Sequence, residues 1–271
     1  MREVLHWTEE MDLHQSPPAM AQRIHRRLRE ITGIEDPYLA AKTQQNRISL
    51  KLLPELRANI QFSNSPLMTA ARLAIAGNMI DMAVNGNISE VDVHQAVQQA
   101  LSEPFYGEQE RFLQAISKAR SILYLADNAG EIAFDRLLIE QISPEPVTLV
   151  VRGAPIMNDA TLADARAVGL DGFVEIMDNG SDAPGTLLDD CSQEFRRRFA
   201  EADLIIAKGQ GNYESLSNQP GNLFFLFKIK CPLVANHMMQ PVGTQVLAYS
   251  SYGALAISHW MYRRFDPYLP E

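Results

Sequence analysis

The chain has 271 residues, 46% hydrophobic and 21% charged, the make-up of an ordinary globular protein of one large or two modest domains. Its formal net charge of -9 argues against a general nucleic-acid binder, which needs basic surface to neutralise phosphates. No apolar run is long enough to span a bilayer, the first residues lack a signal-peptide layout, and Cys191 and Cys231 make neither a disulfide framework nor a zinc cluster, so a cytoplasmic protein with no membrane or nucleic-acid partner is expected.

The first 118 residues read as helices. Pro17-Pro18 precede a helix over 19–32 with a basic face (Arg23, Arg26, Arg27), ended by Gly33. Two more are expected over 38–46 and 48–59, the second bent or divided by Pro54. Ser65-Pro66 opens a largely apolar helix over 67–84. Gly77 inside it implies close packing against a neighbour, and Asn78 and Asp81, three apart, share one face as candidate substrate contacts. Helices to Leu101 and over 108–119 follow. Strands and helices then alternate. The apolar run 122–126 reads as a buried strand, the turn Asp127-Asn128-Ala129-Gly130 follows, and an amphipathic helix starts at Glu131, with Asp135 and Glu140 on its polar side. Further strands are expected at 147–151, 173–176, 204–207 and 245–249, with 223–229 and 233–235 further apolar runs. Helices are expected at 159–168 and from Pro184 to about 201. The pattern predicts an α/β fold, a mainly parallel sheet with helices, preceded by a helical N-terminal part. The two parts are 1–118 and 119–271.

Polar loops follow three of these strands, at the end where open parallel sheets bind ligands. They carry Asp127, Asn128, Gly130 and Glu131; then Arg152, Asn158 and Asp159; then Lys208, Gln210, Asn212 and Glu214. Each has a plain reading alone: Asp and Asn favour turns, Asp159 suits a helix N-cap, and Lys208-Gly209 suits a solvated turn. Together they place two carboxylates and an amide oxygen where a hard divalent ion binds, beside a lysine and a helix N-terminus suited to a phosphate. No His or Cys falls in these loops, against a structural zinc site.

The sequence resembles the DUF89 family of metal-dependent damage-control phosphatases, in its stand-alone bacterial and archaeal branch. The likeness rests on Asp127-Asn128-Ala129-Gly130-Glu131, on the run from Arg152 to Thr161, and on Lys208-Gly209-Gln210-Gly211-Asn212-Tyr213-Glu214. Gly77 to Asp81, Lys230-Cys231-Pro232, and Asp36-Pro37-Tyr38 with Lys42 and Asn46 also fit. The resemblance implies an N-terminal all-helical domain on a Rossmann-like α/β domain, and one divalent ion (magnesium, manganese, cobalt or nickel) held by Asp127, Asn128 and Asp159, with Lys208 near the phosphate of a small phosphorylated metabolite. Relatives of this branch often carry an N-terminal Cys pair, which residues 9–18 lack.

The expected reaction is metal-dependent hydrolysis of small phosphate esters, with Asp127 and Lys208 catalytic. Gly130, Glu131, Arg152, Asn158, Asn212, Glu214, Asn78 and Asp81 are expected to contact substrate. Attack by water is favoured over a covalent Asp127, because Ala129 stands where an aspartyl-phosphate enzyme carries its acid. A non-catalytic nucleotide or sugar-phosphate regulator is the alternative. A carboxyl methyltransferase is the weaker one, since Asp-Asn-Ala-Gly offers only one glycine. The sequence leaves the substrate, the metal and the oligomeric state open.

Overall fold

The structure, a computed structural model, describes residues 6–7, 15–77, 95 and 98–250. Asn78, Asp81 and most of the helix expected to reach Leu101 lie outside the described residues. Among the described residues the helical part includes α1 (Pro17–Thr32), α2 (Leu39–Gln61) and α3 (Pro66–Ala76). Proline stands in the first turn of α1 and α3, where its missing N–H costs nothing. Gly33 closes α1 at φ 68, the left-handed cap that glycine adopts without strain. The two helices expected between 38 and 59 are one. No breaker separates Asn46 from Ile48, and Pro54 is carried inside α2, whose Leu52, Leu53, Leu56 and Ile60 are buried on either side of it. Gly77 follows α3, and a Cβ there would stand 2.9 Å from Glu131 Cα, so the expected close packing is present.

The sheet has seven strands in the order β1-β7-β6-β5-β2-β3-β4. They are β1 (Phe105–Gly107), β2 (Ile122–Leu125), β3 (Val147–Val151), β4 (Glu175–Asp178), β5 (Leu204–Lys208), β6 (Leu223–Lys228) and β7 (Gln245–Tyr249). Every neighbouring pair is parallel except β6 with β7. The edge strand β1 falls in the stretch read as helical; three residues are too few to show an alternation. The helices between strands are α4 (Gln109–Lys118), α5 (Glu131–Ile142), α6 (Leu162–Ala167), α7 (Gln193–Glu201), α8 (Gly209–Leu216) and α9 (Pro232–Met238).

Several boundaries differ from expectation. Thr161, not Asp159, caps α6, because Thr161 and Asp164 form a reciprocal capping box. The helix expected from Pro184 is a single 3-10 turn at Leu188–Asp190 and then α7, started by Ser192, whose hydroxyl accepts from Phe195 N. The run 233–235 is helical, because Pro232 opens α9.

Alternate side chains of each strand enter opposite cores. Ile122, Tyr124, Leu149, Ile206 and Leu226 pack with α2, α3 and α5, while Leu123, Leu125, Ile205, Phe225 and Phe227 pack with α7, α8 and α9. The chain leaves β2 toward β3 and β4, then returns to β5 on the other side of β2. The carboxyl ends of β2 and β5 therefore flank the switch point, where ligand crevices form. No helix among the described residues is long and apolar enough to cross a membrane.

Candidate functional site

Asp127 leaves β2 at this switch point, and two loops are zipped together beside it. Asn128 and Asp159 form an antiparallel bridge; Ala129 N donates to Asn158 O (2.8 Å) and Ala160 N to Asp127 O (2.8 Å). Asp127, Asn128, Asn158 and Asp159 are all buried. The three residues expected to hold a cation are thus brought together by backbone bonds. Asn128 is oriented as well: its Nδ2 donates to Asp127 Oδ2 (3.0 Å) and Glu131 Oε2 (3.3 Å), which leaves its carbonyl oxygen as the end for a cation. Gly209 explains how closely β5 approaches. At φ 80, a Cβ there would lie 1.9 Å from Asp127 Oδ2. Gly130 is confined in the same way, at φ 74 beneath Gln45 and Ser49 of α2, and donates its N–H to Asn46 Oδ1 (2.7 Å).

Arg152 lies between the carboxylates. Its Nε donates to Asp159 Oδ2 (2.7 Å) and its Nη1 to Asn212 Oδ1 (3.4 Å). Its Nη2 sits 3.7 Å from Asp127 Oδ1, buried and without a hydrogen bond among the described residues.

Lys208 is wholly buried at the end of β5. Its ammonium donates to Glu131 Oε1 (2.6 Å), Asp135 Oδ1 (2.7 Å) and Ala74 O (2.8 Å), which engages all three of its N–H groups. The expected direct contact between Lys208 and a phosphate therefore has no donor left in this arrangement. The plain alternative, a solvated turn, does not hold either. Burial alone would pull the ammonium pKa down, but Asp135 and Glu131 outweigh it and hold Lys208 above the usual lysine range. Burial raises Glu131 to about 8 against the pull of Lys208, with Asp127 and Asp135 adding to the rise. Asp135 is raised by burial too, and its Oδ1 also accepts from Tyr124 Oη (2.7 Å).

Asn212, expected to meet substrate, instead ties strand ends together: it donates to Lys208 O (2.8 Å) and Ala126 O (3.3 Å) and accepts from Thr186 Oγ1 (2.8 Å). Glu214 accepts from Gln210 Nε2 (2.8 Å), and burial raises its pKa; Gln210 counters that, and the charge of Asp127 adds to it. Asp36 and Lys42 pair (2.9 Å), Lys42 and Asn46 reach Asp164 (3.2 and 2.9 Å), and the set holds the Gly130 turn under α2.

Sequence reasoning passed over Asp135, Tyr124, Gly209 and Thr186. For Asp135 a signal existed: it stands four residues after Glu131, on the same helical face. The polar side of α5 is buried at both residues.

Four buried carboxylates (Asp127, Glu131, Asp135, Asp159) surround two buried cations (Arg152, Lys208). Fully ionised, the group has two negative charges in excess, which is the charge of one divalent ion. Among the described residues no three of His, Cys, Asp and Glu gather as a metal set.

The protein is thus of the mixed α/β class, a mostly parallel seven-stranded sheet under a helical cover, with its polar loops at the switch point. The chain belongs to the family described as the damage-control phosphatase ARMT1-like domain, which matches residues 1–246. It is 38% identical over 234 residues to a damage-control phosphatase of Archaeoglobus fulgidus, covering 84% of this chain and 80% of that one. Over 235 residues it is 34% identical to a damage-control phosphatase of Pyrococcus horikoshii, again covering 84% and 80%. The crystal structure of a DUF89 family protein from Pyrococcus horikoshii superposes with a TM-score of 0.82 at 30% identity, over 92% of this chain and 87% of that one.

Proposed function

We propose that this chain is a divalent-metal-dependent phosphatase that hydrolyses monoesters of small phosphorylated metabolites. The observation that carries the reading is the Asp127–Asn128–Asp159 group: two carboxylates and an amide oxygen, zipped together at the switch point and buried. These residues would hold one divalent ion, with magnesium and manganese the best match to an all-oxygen set. Such an ion supplies charge neutralisation and orientation of the phosphoryl oxygens.

The other residues have separate tasks in this reading. Arg152 Nη2 is the donor for a phosphoryl oxygen, because its other nitrogens already hold Asp159 and Asn212. Lys208 acts through Glu131, which fixes the Asn128 amide; it is a positioning residue. Asp127 is pinned between Asn128 and Gly209, which suits a fixed ligand better than a nucleophile that must advance. Glu214 holds a proton more readily than an exposed carboxyl and is the acid we assign to the leaving oxygen. A cytoplasmic setting completes the reading, since Cys191 and Cys231 are both free.

The test is calorimetric titration of magnesium or manganese into wild type, Asp127→Ala and Asp159→Ala, with phosphate release followed in parallel. Wild type should bind one ion, gain thermal stability from it by mass action, and lose phosphate release to a chelator. Both variants should fold, bind no ion and release no phosphate. Hydrolysis by metal-stripped wild type would end the proposal.

A further inference from the structure

A cavity of about 220 Å³ lies between the second half of α1, the segment joining α1 to α2, and the turn from β3 to Asp159. Its walls include His25, Leu28, Arg29, Ile34, Tyr38 and Met157. It borders the loop that follows the carboxyl end of β3, the ligand side of the sheet. Met157 precedes Asp159 by two residues, so their Cα atoms stand within about 7 Å of each other. The turn is closed by Asp159 N donating to Ile156 O (3.0 Å). Met157 adopts φ 46, a left-handed conformation that side chains seldom take, and remains 37% exposed. Strain of this kind collects at ligand-binding places, and a thioether adapts to the shape of what it touches.

The lining says what would fit. Leu28 and Ile34 are exposed apolar side chains that contribute nothing to either core. The rings of His25 and Tyr38, 6.4 Å apart and tilted by 53°, make an aromatic corner. Burial, and then the charge of Arg29, lowers the pKa of His25, so its ring is neutral near pH 7. Arg29 is already engaged by Pro155 O (2.8 Å) and by Asp182. Glu35 and Asp36, also on the wall, disfavour an anion. The volume is below the roughly 300–1,000 Å³ of a site for a whole small molecule, so it suits one ring.

We infer that this cavity receives the organic group of the phosphate ester held at Asp127 and Asp159, and that it selects a flat, uncharged, apolar-faced group such as an aromatic ring or a nucleobase. The inference rests on the phosphatase reading above. Benzylphosphonate and ethylphosphonate, whose carbon–phosphorus bonds resist hydrolysis, separate the two ideas. They are titrated calorimetrically, with magnesium present, into wild type, Leu28→Trp and Ile34→Ala. Both variants alter exposed positions outside the core. Benzylphosphonate should bind wild type about tenfold more tightly than ethylphosphonate. Leu28→Trp, which fills the cavity, should bring that ratio close to one while leaving ethylphosphonate binding within about twofold. Ile34→Ala should weaken benzylphosphonate about threefold. Equal binding of the two by wild type, a preference that survives Leu28→Trp, or no binding of either would overturn the inference. Phosphate release from phenyl phosphate, measured separately, tests the phosphatase reading and can fail while the ring preference stands.

Discussion

At the scale of single residues, the site is a problem in buried charge. Lys208 pairs with two carboxylates that no solvent reaches, and removing one partner of such a group strands the others. Lys208→Met should therefore destabilise the protein by about 3–5 kcal/mol, read by denaturant unfolding. Loss of activity at unchanged stability would instead return Lys208 to direct contact with substrate. Gly209 offers a cleaner probe. Gly209→Ala must displace the Asp127 carboxylate, so it should abolish metal binding and cost about 1–2 kcal/mol. Gly33→Ala is its control: φ is similarly positive at 68, but nothing lies within 4 Å, so it should cost about 1 kcal/mol and leave metal binding intact. Asp127 and Asn128 were legible in the sequence from the apolar strand that ends just before them, and Asp159 from the polar loop that follows the next strand. The destination of the Lys208 ammonium was not, because a lysine after a strand does not reveal which carboxylates, distant in the chain, will turn toward it.

At the scale of elements, α1 is held to the sheet by a polar clasp. Gln22 donates to Asp182 (2.7 Å) and Asp190 (2.7 Å), and Arg26 and Arg29 pair with Asp182. Burial would raise Asp182, but hydrogen bonds from Arg26 and Gln22 prevail and lower its pKa. Asp190 is lowered in the same way, with Ser181 the foremost donor. Groups whose folded pKa lies below the unfolded one stabilise fully above the ordinary carboxylate value of about 4 and lose that contribution as pH falls through the lowered value. Asp182→Asn should thus cost about 1–2 kcal/mol from pH 5 to 8, a modest figure because Arg26 is half exposed. The gap between wild type and variant in melting experiments should close below about pH 4. A gap that stays constant into acid would assign the loss to packing. The basic face of α1 was legible from its arginines; the acidic loop it meets was not, since nothing local links residue 26 to residue 182.

At the scale of the molecule, the helical segments and the sheet share one site. Helix α2 covers the Gly130 turn, and the end of α3 lends Ala74 O to Lys208. The alternation of strand and helix after residue 119 made the sheet legible, since each buried strand is a short apolar run bounded by turn residues. The edge strand β1 escaped because its pairing with β7, Phe105 opposite Gln245, is a matter of long-range topology and leaves no local trace. That pairing also bears on how the chain is made. Synthesis delivers Leu223-Phe-Phe-Leu-Phe227 from the ribosome before the strand that covers it, and until β7 emerges this aromatic run presents an open edge of the type that nucleates aggregation. β7 closes β6 on one side and collects β1 on the other, so a nascent chain stopped short of Gln245 would leave the outer side of β6 open and β1 without its sheet partner. The last strand of the sheet is in effect its chaperone, and the interval before its arrival is when this protein most needs protection in a crowded cell.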